Sequence, residues 1–239
     1  MPPTLRTAVR LITFRASHDE LRSLNHRHLV LGLFLTWAVG IGRWWEDPRA
    51  SWLQHLGVGS VIYIFVLSLL LWLMIWPVAV QSRPTYRNVL TFVSLTAVPG
   101  FLYALPVRTM FDLQTGQTIR LWFLAIVASW RVALLMFYLM RRVRLSSGVT
   151  AVTALFPLTL IIALLTMLNL EHVVFNFMGR IKPEQMTVND NAYDFLFWLS
   201  IVSMYSFLPL VIAYAACSVI AMKRRRSLAC EPSGAAEGQ

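Results

Sequence analysis

The chain has 239 residues, of which 57% are hydrophobic and only 13% are charged, and its mean hydropathy is positive. A soluble globular domain carries about 25% charged residues, so this composition excludes a soluble domain as the main body of the protein. It predicts an all-α polytopic membrane protein. The net charge of +10 does not predict nucleic-acid binding, because the basic residues follow one end of successive apolar segments instead of forming one face.

The first 28 residues predict a short helix on the cytoplasmic membrane surface. Leu5, Val9 and Ile12 recur at helical spacing among five arginines, a pattern typical of a basic amphipathic helix in the headgroup layer. Ser17 and Glu20 have the spacing of a capping box, which predicts that a second helix begins there.

Six apolar segments follow, and each reaches the minimum of about 17 residues that a membrane helix requires. They cover approximately residues 29–45, 56–80, 88–107, 118–140, 149–170 and 194–222. We therefore expect one six-helix transmembrane domain over residues 29–222 and a disordered cytoplasmic tail over residues 223–239.

Charge asymmetry predicts the orientation of these spans. With six spans, fourteen of the 21 basic residues lie on the side that also holds both termini, and seven of the 11 acidic residues lie on the other side. Basic residues accumulate on the cytoplasmic side of membrane proteins, so both termini are expected in the cytoplasm. Arginine far outnumbers lysine, as in GC-rich genomes, and the expected location is a bacterial inner membrane.

The connection between the first two spans predicts an anchor at the outer interface. Tryptophan favours the headgroup zone, where its ring is apolar and its N–H stays hydrated, and arginine side chains reach the same zone from a helix end. The anchor residues are Arg43, Trp44, Trp45, Arg49 and Trp52.

Arg131 is the sharpest single candidate for function, because it lies near the middle of the fourth predicted span. An arginine there costs about 2.5–3.5 kcal/mol on insertion scales, and no predicted span contains a deep carboxylate to pair with it. Two interpretations stay open. Arg131 either joins helices through main-chain carbonyls or binds an anionic substrate or lipid.

Prolines are the second candidate feature. Pro77, Pro99, Pro157 and Pro209 fall within or at the ends of predicted spans, where each removes one backbone hydrogen bond and predicts a helix kink. Kinked helices line cavities in many transporters, although prolines are also common in membrane helices of other kinds.

A third candidate is an outward-facing cluster of Glu46, Asp47, Glu171 and His172. Carboxylates and imidazoles transfer protons and bind metals, so these four residues are the candidates for catalysis. They show no metal-ligand spacing, and neither do Cys217 and Cys230. We therefore expect no metal and no cofactor.

Three classes of function are compatible with these residues. A non-catalytic membrane component, meaning a scaffold, an assembly factor or a subunit of a membrane complex, is favoured because no catalytic motif is present. The first alternative is a small transporter or channel-like protein that handles an anionic substrate or lipid around Arg131. The second is an enzyme that acts on a lipid-linked substrate at the outer face. The expected partners are the lipid bilayer, other membrane-protein subunits or anionic lipid, and not nucleic acid.

Overall fold

The computed structural model describes residues 3–44, 51–105, 107, 113–168 and 191–230, with the main chain alone at 43–44, 113–114, 117, 191–196 and 228–230. Every regular element in this part of the chain is helical. The helices are α1 Pro3–Ile12, α2 His18–Arg22, α3 His26–Trp44, α4 Trp52–His55, α5 Val58–Val78, α6 Tyr86–Leu95, α7 Leu113–Tyr138, α8 Ser147–Met167 and α9 Asn191–Cys230. A 3₁₀ segment, Val98–Ala104, follows α6, and a π-turn, Leu139–Val143, continues α7.

Four helical stretches are long and apolar enough to cross a membrane. They are Val58–Val78, Thr118–Val143, Ser147–Met167 and Phe197–Ser227. The predicted all-helical class is thus confirmed for the described residues, and four of the helices are candidates for membrane spans. Helix α3 has 19 residues but begins with His26, Arg27 and His28, so it is less apolar than these four.

The third predicted span, residues 88–107, differs from the prediction. Helix α6 has only ten residues, which correspond to about 15 Å, and the chain then continues as the seven-residue 3₁₀ segment. Pro99 lies at the start of that segment, where its ring and missing N–H prevent α6 from continuing. Pro99 was expected to kink a helix and instead follows the end of one, whereas Pro77, Pro157 and Pro209 lie inside helices.

Helix α6 lies in the centre of the structure. Every residue from Asn88 to Ala97 is buried, and α6 packs against α3 and α5. At Gly32 of α3 the two helices approach so closely that a Cβ atom would lie 2.9 Å from the Cβ of Ser94. A short helix is marginal alone, so this enclosure by neighbours stabilises α6.

Helices α3 and α5 form a tight hairpin. Gly57 has a φ of +69°, which favours glycine, and a Cβ there would lie 2.8 Å from the main-chain oxygen of Trp37. The indole Nε1 of Trp37 donates to the main-chain oxygen of Leu56 at 2.8 Å. The chain reversal before α5 is therefore held directly against α3.

The N-terminal helices pack onto the bundle. Ala8 and Leu11 of α1 are buried in the hydrophobic core, while Leu5 and Val9 stay exposed. The capping box at the start of α2 is confirmed, because the Ser17 hydroxyl accepts from the Glu20 N–H and the Glu20 carboxylate accepts from the Ser17 N–H. A helix thus forms where the spacing of Leu5, Val9 and Ile12 predicted one, but the residues that it buries against the bundle are Ala8 and Leu11.

Several chain connections meet at one end of the bundle, which we call the basic end. It comprises α2, the linker of residues 79–85, the π-turn and residues 223–227 of α9. His18 Nδ1 lies 2.8 Å from the main-chain oxygen of Arg141, and Arg142 donates to the Ser82 hydroxyl. Arg225 contacts the end of α5. The basic end therefore gathers arginines from distant parts of the chain.

Candidate functional site

The predicted outer cluster lies beyond the residues that the structure describes. This holds for Glu46, Asp47, Glu171, His172, Trp45 and Arg49, and for the side chains of Arg43 and Trp44. Trp52 begins α4 and is 84% exposed. The catalytic and anchoring roles of these residues stay predictions.

Arg131 lies on α7 and is half-buried. Among the described residues, no hydrogen bond or ion pair involves its guanidinium group. Its neighbour Trp130 donates to the main-chain oxygen of Ile12 at 3.1 Å, and the Phe14 ring packs between Trp130 and Phe137 at centroid distances of 6.5 and 5.8 Å. The segment after α1 therefore contacts α7 immediately next to Arg131.

A buried polar chain links three helices near the basic end. The Tyr138 hydroxyl of α7 donates to the side-chain oxygen of Asn88 in α6 at 2.6 Å. The Asn88 amide donates to the main-chain oxygen of Leu21 in α2 at 3.2 Å. The Phe92 ring stacks on Tyr138 at 4.2 Å, so the hydroxyl is held inside an apolar layer. Leaving such a buried polar group unpaired costs about 1–3 kcal/mol, so the chain selects one packing arrangement.

Arg142 is the buried cation next to this chain. Its side chain is only 7% exposed, and its Nη1 donates to the Ser82 hydroxyl. The π-turn orients it inward, and the turn ends at Arg144, whose φ is +62°. In the sequence, Arg141, Arg142 and Arg144 counted only as basic residues that predict the cytoplasmic side of the membrane. The spacing of Arg142 four residues after Tyr138, on one helix face, was the signal for its burial.

A second arginine is fixed at the end of α5. Arg225 Nη2 donates to the main-chain oxygens of Trp76 and Pro77 at 2.8 Å each, and also to that of Ala79. The last carbonyls of a helix have no intrahelical partner, so a cation there satisfies them and interacts favourably with the helix dipole. Tyr214 adds a second link between α9 and α5 by donating to the Met74 oxygen at 2.8 Å.

Arg83 completes this corner of the basic end. Its guanidinium carbon lies 4.7 Å from the centroid of the Trp76 ring, and that of Arg225 lies 5.9 Å from the same centroid. Two cations thus share one indole. The sequence indicated both arginines as topology signals only, because Arg83 and Arg225 are brought together by tertiary structure.

Negative charge is scarce among the described side chains. The single ion pair there joins Arg10 and Glu20 at 3.0 Å. His28 is buried beside Asn25, with Nδ1 2.9 Å from the Asn25 side-chain oxygen, and burial lowers the pKa of His28. The described part contains no group of three metal-ligating side chains. The basic end therefore combines a cationic surface with one buried arginine, Arg142, and has no acidic partner for that arginine among the described side chains.

No protein-family model, no curated protein and no solved structure matches this chain.

Proposed function

We propose that the protein is a non-catalytic component of a bacterial inner membrane, acting as a scaffold, an assembly factor or a subunit of a membrane complex. The observation that carries the proposal is the buried chain Tyr138–Asn88–Leu21. Its polar groups bond to one another and to the main chain, so they hold α2, α6 and α7 together. Polar groups that pair with one another inside the protein stabilise a rigid bundle, and a rigid bundle is suited to a structural role in a membrane complex.

We further propose six spans. The apolar part of α3, which begins at Leu29, forms one of them, and α6 with the 3₁₀ segment forms the remaining span. Ten α-helical residues rise about 15 Å and seven 3₁₀ residues about 14 Å, which together approach the hydrocarbon thickness of about 30 Å. A broken helix is tolerated at membrane depth when protein surrounds it, and the burial of Asn88 to Ala97 supports this assignment.

The proposed orientation places the basic end and both termini in the cytoplasm. The arginines of α2, the linker, the π-turn and α9 meet there, which is the arrangement that the positive-inside rule favours. Helix α1 would lie in the headgroup layer of that leaflet, with Ala8 and Leu11 against the bundle and exposed Leu5 and Val9 towards lipid.

Arg131 supports a second candidate, a small transporter for an anionic substrate or lipid. Its guanidinium group is half-buried and makes no hydrogen bond to the described residues. A cation in an apolar span that lacks an internal partner is a typical substrate contact.

Deletion and complementation separate the two candidates. The gene would be deleted in its host, membrane complexes would be resolved by native electrophoresis and mass spectrometry, and either wild type or Arg131→Leu would be re-expressed. We expect deletion of the gene to abolish one defined membrane complex, and we expect re-expression of the Arg131→Leu variant to restore that complex. Unchanged complexes, together with anion uptake into proteoliposomes that Arg131→Leu abolishes, would establish the transporter instead.

A further inference from the structure

We propose that Arg83, Arg225 and Trp76 form a binding site for the phosphate group of an anionic phospholipid in the proposed cytoplasmic leaflet. The proposal depends on the membrane location of the chain. It does not depend on whether the chain is a complex subunit or a transporter.

Three separate segments build this site. Trp76 belongs to the last turn of α5, Arg83 to the linker that follows, and Arg225 to the end of α9. Both guanidinium groups lie within 6 Å of the Trp76 centroid, at 4.7 and 5.9 Å. Arg225 is held in place by its hydrogen bonds to the end of α5. The Arg83 guanidinium lies over the indole face and makes no hydrogen bond or ion pair to a described residue.

The two arginines have unused hydrogen-bonding capacity. Arg225 uses Nη2 for the three carbonyls, and no hydrogen bond of its Nη1 occurs in the described part of the chain. No hydrogen bond of the Arg83 guanidinium occurs there either. A planar guanidinium donates in a fork that matches phosphate oxygens, so two such groups around one indole suit a single phosphate.

Charge favours an anion at this position. The two positive charges are close enough to repel one another, and neither has an acidic partner among the described side chains. The negative face of the indole attracts both guanidinium groups, but the ring carries no net charge and does not neutralise them. A bound phosphate would neutralise the pair and accept hydrogen bonds from both.

The adjoining surface indicates a lipid as the source of the phosphate. Leu69, Leu73 and Trp76 recur at helical spacing on α5, and each is roughly half-exposed, at 47%, 49% and 48%. They form an apolar stripe that leads along the span to the two arginines. An acyl chain would follow this stripe while its headgroup met Arg83 and Arg225, whereas free phosphate would gain nothing from the leucines.

Native mass spectrometry of the full chain in a neutral detergent tests the site. Phosphatidylglycerol and phosphatidylcholine are titrated separately, and the fraction of protein that carries one lipid is measured. Neutral detergent removes the membrane surface potential, which attracts basic residues whether or not they form a binding site. We expect preferential binding of phosphatidylglycerol, weakened about tenfold by Arg83→Gln, which removes charge-assisted hydrogen bonds but no described contact between helices.

Matched controls use two exposed arginines close by in the sequence, Arg87 in the first turn of α6 and Arg224 beside Arg225 on α9. Arg87→Gln and Arg224→Gln remove the same charge away from Trp76, and we expect each to change the binding constant less than twofold. An equal loss in these controls would overturn the proposal, because general charge would then explain binding.

Two further measurements keep the outcome decisive. Arg225→Lys keeps the positive charge, so it serves as the test where Arg225→Gln fails to fold. We expect Arg225→Lys to weaken phosphatidylglycerol binding severalfold, because lysine lacks the planar pair of donors of a guanidinium group. Inorganic phosphate at millimolar concentration is added as a competitor, with little displacement expected. Full displacement would assign the site to free phosphate and overturn the lipid proposal.

Discussion

Tyr138 and Asn88 meet inside the apolar core, with the phenol oxygen 2.6 Å from the amide oxygen. Because Asn88 also donates to the Leu21 main chain, one amide joins α2, α6 and α7. Helix α6 has only ten residues and is enclosed on all sides, so neither its own length nor the membrane determines its position. This hydrogen bond gives α6 a defined rotation and depth.

Tyr138→Phe should destabilise the protein by about 0.5–1.5 kcal/mol, because it leaves the buried Asn88 oxygen without a donor. The range is modest, since side-chain hydrogen bonds in membrane proteins average about 0.6 kcal/mol and reach about 1.7. The free energy of unfolding is measured by titration with denaturing detergent. The control is Tyr205→Phe, at a position that is 82% exposed. Equal effects of the two substitutions would contradict the structural role of the bond.

Gly32→Ala and Gly59→Ala should have opposite effects. At Gly32 the added methyl would lie 2.9 Å from the Ser94 Cβ and 3.0 Å from the Leu95 nitrogen, so α3 and α6 must separate. Overpacking of this kind costs about 1–3 kcal/mol. At Gly59, in the first turn of α5, no atom lies within 4 Å, and alanine should stabilise the helix by up to about 1 kcal/mol. Thermal unfolding in detergent measures both variants, and destabilisation at Gly59 alone would refute the packing of α3 on α6.

Arg131→Met should leave stability unchanged or raise it. The substitution removes a membrane cation that costs about 2.5–3.5 kcal/mol on insertion scales and breaks no described hydrogen bond. Arg142→Met, by contrast, removes the donor to Ser82 from a buried position and should destabilise the bundle. The two midpoints of thermal unfolding are compared in the same detergent. A large loss of stability in Arg131→Met would show that this arginine joins helices.

The stability of the folded protein should fall as the pH is lowered below about 6.5. Burial lowers the pKa of His28, at the start of α3 and before its apolar part begins at Leu29, so the fold favours the neutral imidazole. Below the unfolded-state pKa the unfolded chain binds more protons than the folded chain, and stability decreases until the pH reaches the lowered folded-state pKa. Unfolding midpoints measured between about pH 5 and pH 8 test this dependence, because this interval brackets the ordinary histidine pKa of about 6.5.

The control for this experiment is His26→Gln, at an exposed neighbouring position that leaves His28 in place. It should retain the loss of stability at low pH. His28→Gln should flatten that part of the profile, and an unchanged profile in His28→Gln would assign the dependence to other groups.

Local chemistry was sufficient for several features. The low content of charged residues and the long apolar segments predicted membrane helices, because an apolar surface of that size requires lipid. The capping box of Ser17 and Glu20 was predictable since its partners are three residues apart. Pro99 predicted a kink in the third apolar segment, whose apolar length predicted a span up to residue 107, but the α-helix ends before the proline, at Leu95.

Tertiary contacts determined the candidate site. Arg83 and Arg225 are separated by most of the chain, and no spacing rule indicates that both face Trp76. Two further contacts also join distant positions: Arg142 meets Ser82, 60 residues away, and Tyr138 meets Asn88, 50 residues away. Hydropathy and charge counts average over a segment, so they predict which stretch enters the bilayer and from which side. They contain no information on helix rotation, and rotation decides which polar side chains meet inside the bundle and which arginines face lipid.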